Sequence, residues 1–364
     1  MIGIIARTWF TTTKGGSERY IKRVFDELTK KHEVIAVTLD SECEKNVIHI
    51  KFPRIPFITQ LLFSFAAARK INKLRPDVCI VNQYWGELSP LLLKVPFIPI
   101  LHDVGLFTSK NAKKQIFKYF FRIRILERVV RKSKVLVVPS KLTSDDLQLY
   151  LKVPPEKIKV VNEGVDADSF KGPKIEHEGV NILCVARIAP NKGHDILINA
   201  FRIIKQNHPN CRLILVGGVS KENKLHYERL KKLAEFNRND IFFAGQVSDS
   251  ELVKYYKMAD IYVQPSIGEE GWGITIAEAF ASDLPVVCTD IFQKTGIVSH
   301  ERALIVKPGD VLGLANAIQR LIVDEKLRMK LSQKGAFYSK ELSWHKTTEE
   351  ILKIVNTVLK KSKY

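Results

Sequence analysis

Residues 264–287 read QPSIGEEGWGITIAEAFASDLPVV, and their punctuation decides how the surrounding chain is built. The apolar run Asp260–Gln264 predicts a strand that breaks at Pro265-Ser266. A Gly-rich loop carrying Glu269 and Glu270 follows, a helix is predicted to open near Thr275, and Glu278 lies on it. Backbone amides at a helix start attract anions, and Gly271 and Gly273, flanking Trp272, let a ligand approach the main chain. Amides of that kind suit phosphate, whereas carboxylates on each side of the loop suit hydroxyls. A plainer reading also exists: Thr275-x-x-Glu278 is a capping box, and Ala277, Ala279, Phe280 and Ala281 are ordinary helix packing.

Working outward, strand-like and helix-like segments alternate along the whole chain, the pattern of doubly wound parallel sheets. Strands are expected at Ile2–Ala6, Val34–Thr38, Val78–Asn82, Phe97–His102 and Val135–Pro139. A second series runs through Val180–Ala186, Arg212–Gly217, Ile241–Ala244, Ile261–Val263, Val286–Thr289 and Ala303–Val306. The fold class is therefore α/β, with two Rossmann-like domains of parallel sheet facing across a cleft. Their expected spans are 1–168 and 169–345, with a last helix at 346–364 and a polar joint near Glu163–Gly179. Neither half carries G-x-G-x-x-G after a strand, so no dinucleotide cofactor is indicated.

The 364 residues carry a net charge of +19, of which residues 51–150 hold +12, from 18 Lys/Arg and 6 Asp/Glu. A charge of this size favours partners bearing phosphate: nucleotide, anionic lipid or nucleic acid. No helix-turn-helix, zinc or RNP-type pattern is present, so nucleic acid is not the expected partner. Met1–Ala6 reads directly as a strand, without a leader, and no apolar stretch is long enough to span a bilayer. Cys43, Cys79, Cys184, Cys211 and Cys288 form no C-x-x-C pair and mostly sit in strand-like runs, which suits reduced, buried thiols in a cytoplasmic protein.

The whole 264–287 string closely resembles the E-x7-E signature of retaining nucleotide-sugar glycosyltransferases of family 4, which have the GT-B fold. Three further sites share the resemblance. Lys14-Gly15-Gly16-Ser17-Glu18, by itself a Gly turn with a serine N-cap, is similar to the family's N-terminal glycine loop, and Gly16 is the residue carried over. Arg187 and Lys192 match the R-x4-K pair that holds the donor diphosphate, and His102 stands where the family places a histidine beside the donor sugar. The weaker Asp103 follows it.

The resemblance implies transfer of a hexose-type sugar from a nucleoside diphosphate sugar to a glycan or lipid-linked acceptor, as in cell-surface polysaccharide or glycolipid synthesis. The implied catalytic residues are His102, Glu270, Arg187 and Lys192. Gly16, Arg187, Lys192, Glu270, Gly271, Trp272, Gly273, Ile274, Thr275 and Glu278 would bind donor, with Glu270 on the sugar and Glu278 on the ribose. Arg187 and Lys192 would do the work of a metal, so none is expected. The D-x-D at Asp166-Ala167-Asp168 belongs with Glu163 to a domain-joint motif, and these acids read as joint and turn residues. That motif usually starts with Asn where this chain has Glu163. Two more departures are Asp283, where the family has Gly, and the segment Phe292–Val298, which replaces a Gly-Gly-x-x-Glu near the nucleotide. An epimerase acting on nucleotide sugars would use the same fold, and a nucleic-acid-binding protein is a more distant alternative.

Residues 112–132 form a predicted helix with one core stripe: Ile116, Tyr119, Phe120, Ile123, Leu126 and Val130. A second apolar line, Phe117, Phe121, Ile125 and Val129, runs among Lys and Arg. Such a helix lies on an anionic membrane, or else its second line packs on a neighbouring element. The sequence leaves both open.

Overall fold

Seven strands in one half of the chain and six in the other, all parallel, are found among the described residues. The computed structural model describes residues 1–9, 15–39, 44–52, 55, 58–82, 87–102, 116–268 and 270–360, without the side chains of 116–120. Lys14, Cys43, Asp103, Glu269, residues 112–115 and the Phe117 side chain lie outside that description. The chain divides into one unit of Met1–Gly164 with Trp344–Tyr364 and a second of Val165–Ser343.

The first unit begins with β1 (Ile2–Ala6), α1 (Gly16–Thr29), β2 (Val34–Thr38), β3 (Val47–His49) and α2 (Ile58–Leu74). It continues with β4 (Val78–Asn82), α3 (Ser89–Leu92), β5 (Phe97–Ile100), α4 (Ile116–Lys132), β6 (Leu136–Val138), α5 (Lys141–Leu151) and β7 (Ile158–Val160). The sheet order is β3-β2-β1-β4-β5-β6-β7. Central strands β1 and β4 are buried at every residue, as parallel strands covered on both faces must be. The edge strands β3 and β7 escaped the sequence reading because only one of their six residues, Ile158, is buried, so no apolar run marks them.

Helix α4 settles the question of the second apolar line in its C-terminal half. Ile125 and Val129 are 3% and 0% exposed and pack with Phe63, Ala67 and Ile71 of α2 on the sheet. Leu126 and Val130 pack into a separate cluster with Leu136 and Leu147. Both apolar lines are therefore core here, and Phe121, 39% exposed, is the member of the second line at the surface among the described side chains.

The second unit runs α6 (Ala167–Phe170), β8 (Val180–Val185), α7 (His194–Asn207), β9 (Cys211–Val216), α8 (Lys224–Ala234), β10 (Ile241–Gly245) and α9 (Asp249–Lys257). Then come β11 (Ile261–Gln264), α10 (Ile274–Ala281), β12 (Val286–Thr289), α11 (Ile291–Thr295), β13 (Ala303–Val306), α12 (Val311–Val323) and α13 (Glu325–Ser339). Strand order is β10-β9-β8-β11-β12-β13. Alternate strand residues face opposite ways, so Leu183, Val185, Tyr262 and Val286 enter one core while Ile182, Cys184, Ile261 and Val287 enter the other. The described cysteines, Cys79, Cys184, Cys211 and Cys288, are free and buried.

The boundary falls after Gly164 rather than at 168, because Val165 is buried in the second unit's core and Ala167 packs against it. The second unit's entry and exit are tied together where Val165 N–H donates to the Leu342 carbonyl at 3.1 Å. The last helix, α14 (Trp344–Lys360), belongs to the first unit, where Trp344 meets the Tyr20 ring edge-on at 5.8 Å.

Candidate active site

Neighbouring parallel strands deliver the loops beyond their carboxyl ends to the same place. In the second unit β8 pairs with β11, Ile182 opposite Ile261 and Leu183 opposite Tyr262. The loops that follow are laced together: Ile267 N–H donates to the Asn191 carbonyl at 2.9 Å, and Asn191 Nδ2 donates to the Gly268 carbonyl at 3.3 Å. Gly193, at φ +68, makes the close approach feasible, since a Cβ there would stand 2.1 Å from the Pro265 carbonyl oxygen. Gly193→Ala should therefore push the loops apart. Strain at positive φ alone costs about 1–3 kcal/mol, read as a lower urea midpoint for the second unit.

This lacing brings Lys192 and Glu270 together across 78 positions, with Nζ 2.7 Å from Oε1. Ser266 Oγ donates to the same carboxylate oxygen at 2.5 Å, and Gln264 Nε2 donates to Ser266 Oγ at 3.1 Å. Tyr262, fully buried, holds Gln264 Oε1 at 2.5 Å. Burial, with Cys184 and the Glu278 and Glu270 carboxylates, keeps the Tyr262 phenol far above its ordinary range, so it serves as a donor. Glu270 is thus aimed by a chain of hydrogen bonds rooted in the core. Arg187 is exposed just beyond β8, and among the described residues its side chain has no hydrogen bond or ion pair.

Helix α10 opens at Ile274, and its N-cap is Gly273 at φ +111 with no side-chain cap. The capping box of the plainer reading, between Thr275 and Glu278, is not formed. Thr275 Oγ1 reaches Gln264 Oε1 at 3.3 Å instead, and Glu278, 1% exposed, accepts from Tyr256 Oη at 2.8 Å. No side chain therefore caps the amides of Ile274 and Thr275, whereas the Ile276 N–H donates to the Gly273 carbonyl at 2.9 Å. Trp272 is 2% exposed within the core, so what it can offer a ligand is its backbone. The departing segment 292–298 packs behind this loop. Phe292 lies where a Cβ on Gly273 would be, at 2.9 Å, and Thr295 Oγ1 donates to the Trp272 carbonyl at 2.8 Å.

The first unit assembles a second set. Helix α1 begins at Gly16 with Gly15 as its N-cap and no side-chain cap, so Ser17 is not the cap that its position suggested. Among the described residues, a Cβ at Gly16 would meet nothing within 4 Å. His102 Nε2 lies 2.8 Å from Asn82 Oδ1, and Asn82 Nδ2 reaches the Ser17 carbonyl at 3.4 Å, so one asparagine links the histidine to the start of α1. Tyr20 packs edge-on against His102 at 5.0 Å. Glu163, read from sequence as a joint residue, stands next to the unit boundary and is buried, with Oε1 3.8 Å from His102 Nδ1. Burial first, then Glu163 and Glu350, push the Tyr20 phenol far above its ordinary range. Of the D-x-D acids, Asp168 is turned to solvent and paired with Lys171 at 2.6 Å, which lowers its carboxyl below the usual range. Asn82, Tyr20 and Tyr256 were missed because their partners lie 20 or more positions away.

Two parallel-sheet units of this kind have close counterparts among solved structures. Sucrose-phosphate synthase from Thermosynechococcus elongatus superposes with a TM-score of 0.85 at 21% identity, covering 99% of each chain. Anabaena HepE, solved in complex with UDP and glucose, gives 0.81 at 18% identity over 98% of this chain and 99% of its own. The fold is that of a GT-B glycosyltransferase. The family model for Glycosyltransferase Family 4 matches residues 14–169, and that for glycosyl transferases group 1 matches 166–338. The chain belongs to this family of glycosyltransferases. Mannosylfructose-phosphate synthase of Agrobacterium fabrum is 26% identical over 327 residues, 79% of this chain and 71% of the relative.

Proposed function

We propose that this glycosyltransferase moves a hexose-type sugar from a nucleoside diphosphate sugar to a glycan or lipid-linked acceptor, with retention of anomeric configuration and without a metal. The observation that carries this reading is the Lys192–Glu270 pair at 2.7 Å, with Glu270 three residues ahead of the uncapped N-terminus of α10. A cation, first-turn amides and a carboxylate together suit a diphosphate joined to a polyhydroxylated ring. In this reading Lys192 and Arg187 neutralise charge building on the departing diphosphate. Glu270 holds sugar hydroxyls, and Glu278, steadied by Tyr256, receives the ribose hydroxyls. Gly16 gives the diphosphate room at the start of α1, and His102 lies beside the donor sugar. The relative named for mannosylfructose phosphate and the neighbour solved with UDP and glucose support the class of donor.

A thermal-shift screen of UDP-, GDP- and ADP-sugars tests it, because a ligand stabilises the state it binds. One donor series is expected to raise Tm, and transfer with that donor should persist in EDTA and give an anomerically retained product by NMR. Loss of transfer in EDTA with recovery on adding Mg²⁺ would overturn the metal-free assignment. Product formed from donor without acceptor would point to epimerisation instead. The cytoplasmic side of a membrane is the proposed location; among the described residues no helix is long and apolar enough to cross one.

A further inference from the structure

Helix α2 shows the sheet Phe63, Ala67, Ala68 and Ile71, all at most 1% exposed. Its opposite side carries a row that a buried helix would not need. Ile58, Leu62 and Phe65, spaced for one helix face, are 49%, 43% and 56% exposed. Ile55, 48% exposed, precedes them by one turn and is fixed there: its N–H donates to Thr59 Oγ1 at 2.8 Å and its carbonyl accepts the Thr59 N–H at 2.9 Å. Single exposed apolar residues are ordinary, but four in a continuous row mark a contact surface.

Chemistry identifies the occupant. The same stripe continues, one and two turns on, as exposed Arg69 and Lys73, with exposed Lys70 beside them. No acid occurs anywhere in Ile58–Leu74. Apolar side chains backed by cations and free of acids complement a surface that is apolar below and anionic at its rim. The long Lys and Arg stems can lie along apolar surface with their charged ends at phosphate depth. A second copy of this chain fits poorly, since the surrounding residues 51–150 carry +12 and would repel their own image. Helix α4 packs into the same core cluster as α2, so the two cover one face of the sheet, and α4 adds exposed Phe121 and Arg128. The geometry points to α2, with Ile55 before it, as the element that seats this protein on an anionic lipid surface, in place of a contact carried by 112–132 alone. The seating requires no donor, so its failure leaves the transfer assignment untouched.

Co-sedimentation with vesicles tests it, using equal parts phosphatidylglycerol and phosphatidylcholine against phosphatidylcholine alone. Full-length protein is expected to pellet with the anionic vesicles only. Leu62→Glu/Phe65→Glu should weaken partitioning by about tenfold or more, and Arg69→Glu/Lys73→Glu should abolish the preference for anionic lipid. Unchanged circular dichroism and melting verify the fold, and Leu62→Ser/Phe65→Ser replaces the first variant if it melts early. Wild-type protein left in the supernatant, or α2 variants that pellet normally, would overturn the proposal. So would complete loss through Phe121→Glu with α2 intact. A dimer in sedimentation velocity that Leu62→Glu/Phe65→Glu dissociates would assign the face to a second copy.

Discussion

Lys192→Ala is expected to lower kcat/KM by about 10²–10³, the usual effect of deleting one group that stabilises transition-state charge, with the second unit still folded. A structural effect should accompany it. The substitution leaves Glu270, 11% exposed, with Ser266 but without its cation. A half-buried carboxylate that loses a charged partner costs on the order of 1–3 kcal/mol. Adding Glu270→Gln removes the stranded charge, so the double variant should regain most of the urea midpoint yet none of the activity. Steady-state kinetics and denaturation on the four members of the cycle separate the two roles. Full activity in Lys192→Ala would remove Lys192 from the donor site. Equal stability of all four members would mean that the pair contributes nothing to the fold.

Acid should loosen the second unit well before it reaches ordinary carboxylates. His194, fully buried at the start of α7, titrates at about 4 instead of its ordinary 6.5, chiefly because burial disfavours the imidazolium, with His226 and Lys192 adding to the effect and the Ala186 backbone opposing it. The unfolded chain takes up this proton near 6.5, whereas the folded chain resists until about 4. Stability is therefore full above pH 6.5 and declines as pH falls toward 4. At 1.36 kcal/mol per unit the loss is about 3 kcal/mol. Urea melts across this range should show that slope, and His194→Gln should flatten it. An unchanged slope in the variant would assign the acid sensitivity elsewhere.

What could be read from sequence divides along physical lines. Central strands such as β1 and β4 announce themselves as unbroken apolar runs because both of their faces are covered. Helix α13 gives little signal, since it buries only Leu331, Gly335 and Ser339, so no apolar stripe marks it. In the candidate site, Gly16, Arg187, Lys192, Glu270 and Glu278 were proposed through a family resemblance carried by local spacing. Their partners were not. Glu270 depends on β8 lying beside β11, and Glu278 on a tyrosine of α9, both consequences of chain topology. The capping-box reading failed because the N-cap is Gly273, two residues before Thr275, and it has no side chain to cap with. Helix α4 shows the limit of a helical wheel: it reports which residues share a face, while a neighbouring helix decides whether that face is wet.

The hydrogen bond from Val165 to the Leu342 carbonyl has a consequence for how such chains diversify. The polypeptide enters and leaves the second unit at one spot, so 165–343 is a closed excursion from a unit built of the segments on either side of it. Recombination at those two adjacent crossings replaces the whole second unit at once and leaves the first unit's sheet and last helix uncut. On the proposed reading, exchanging one contiguous piece of gene would replace Arg187, Lys192, Glu270 and Glu278 together while keeping Gly16 and His102.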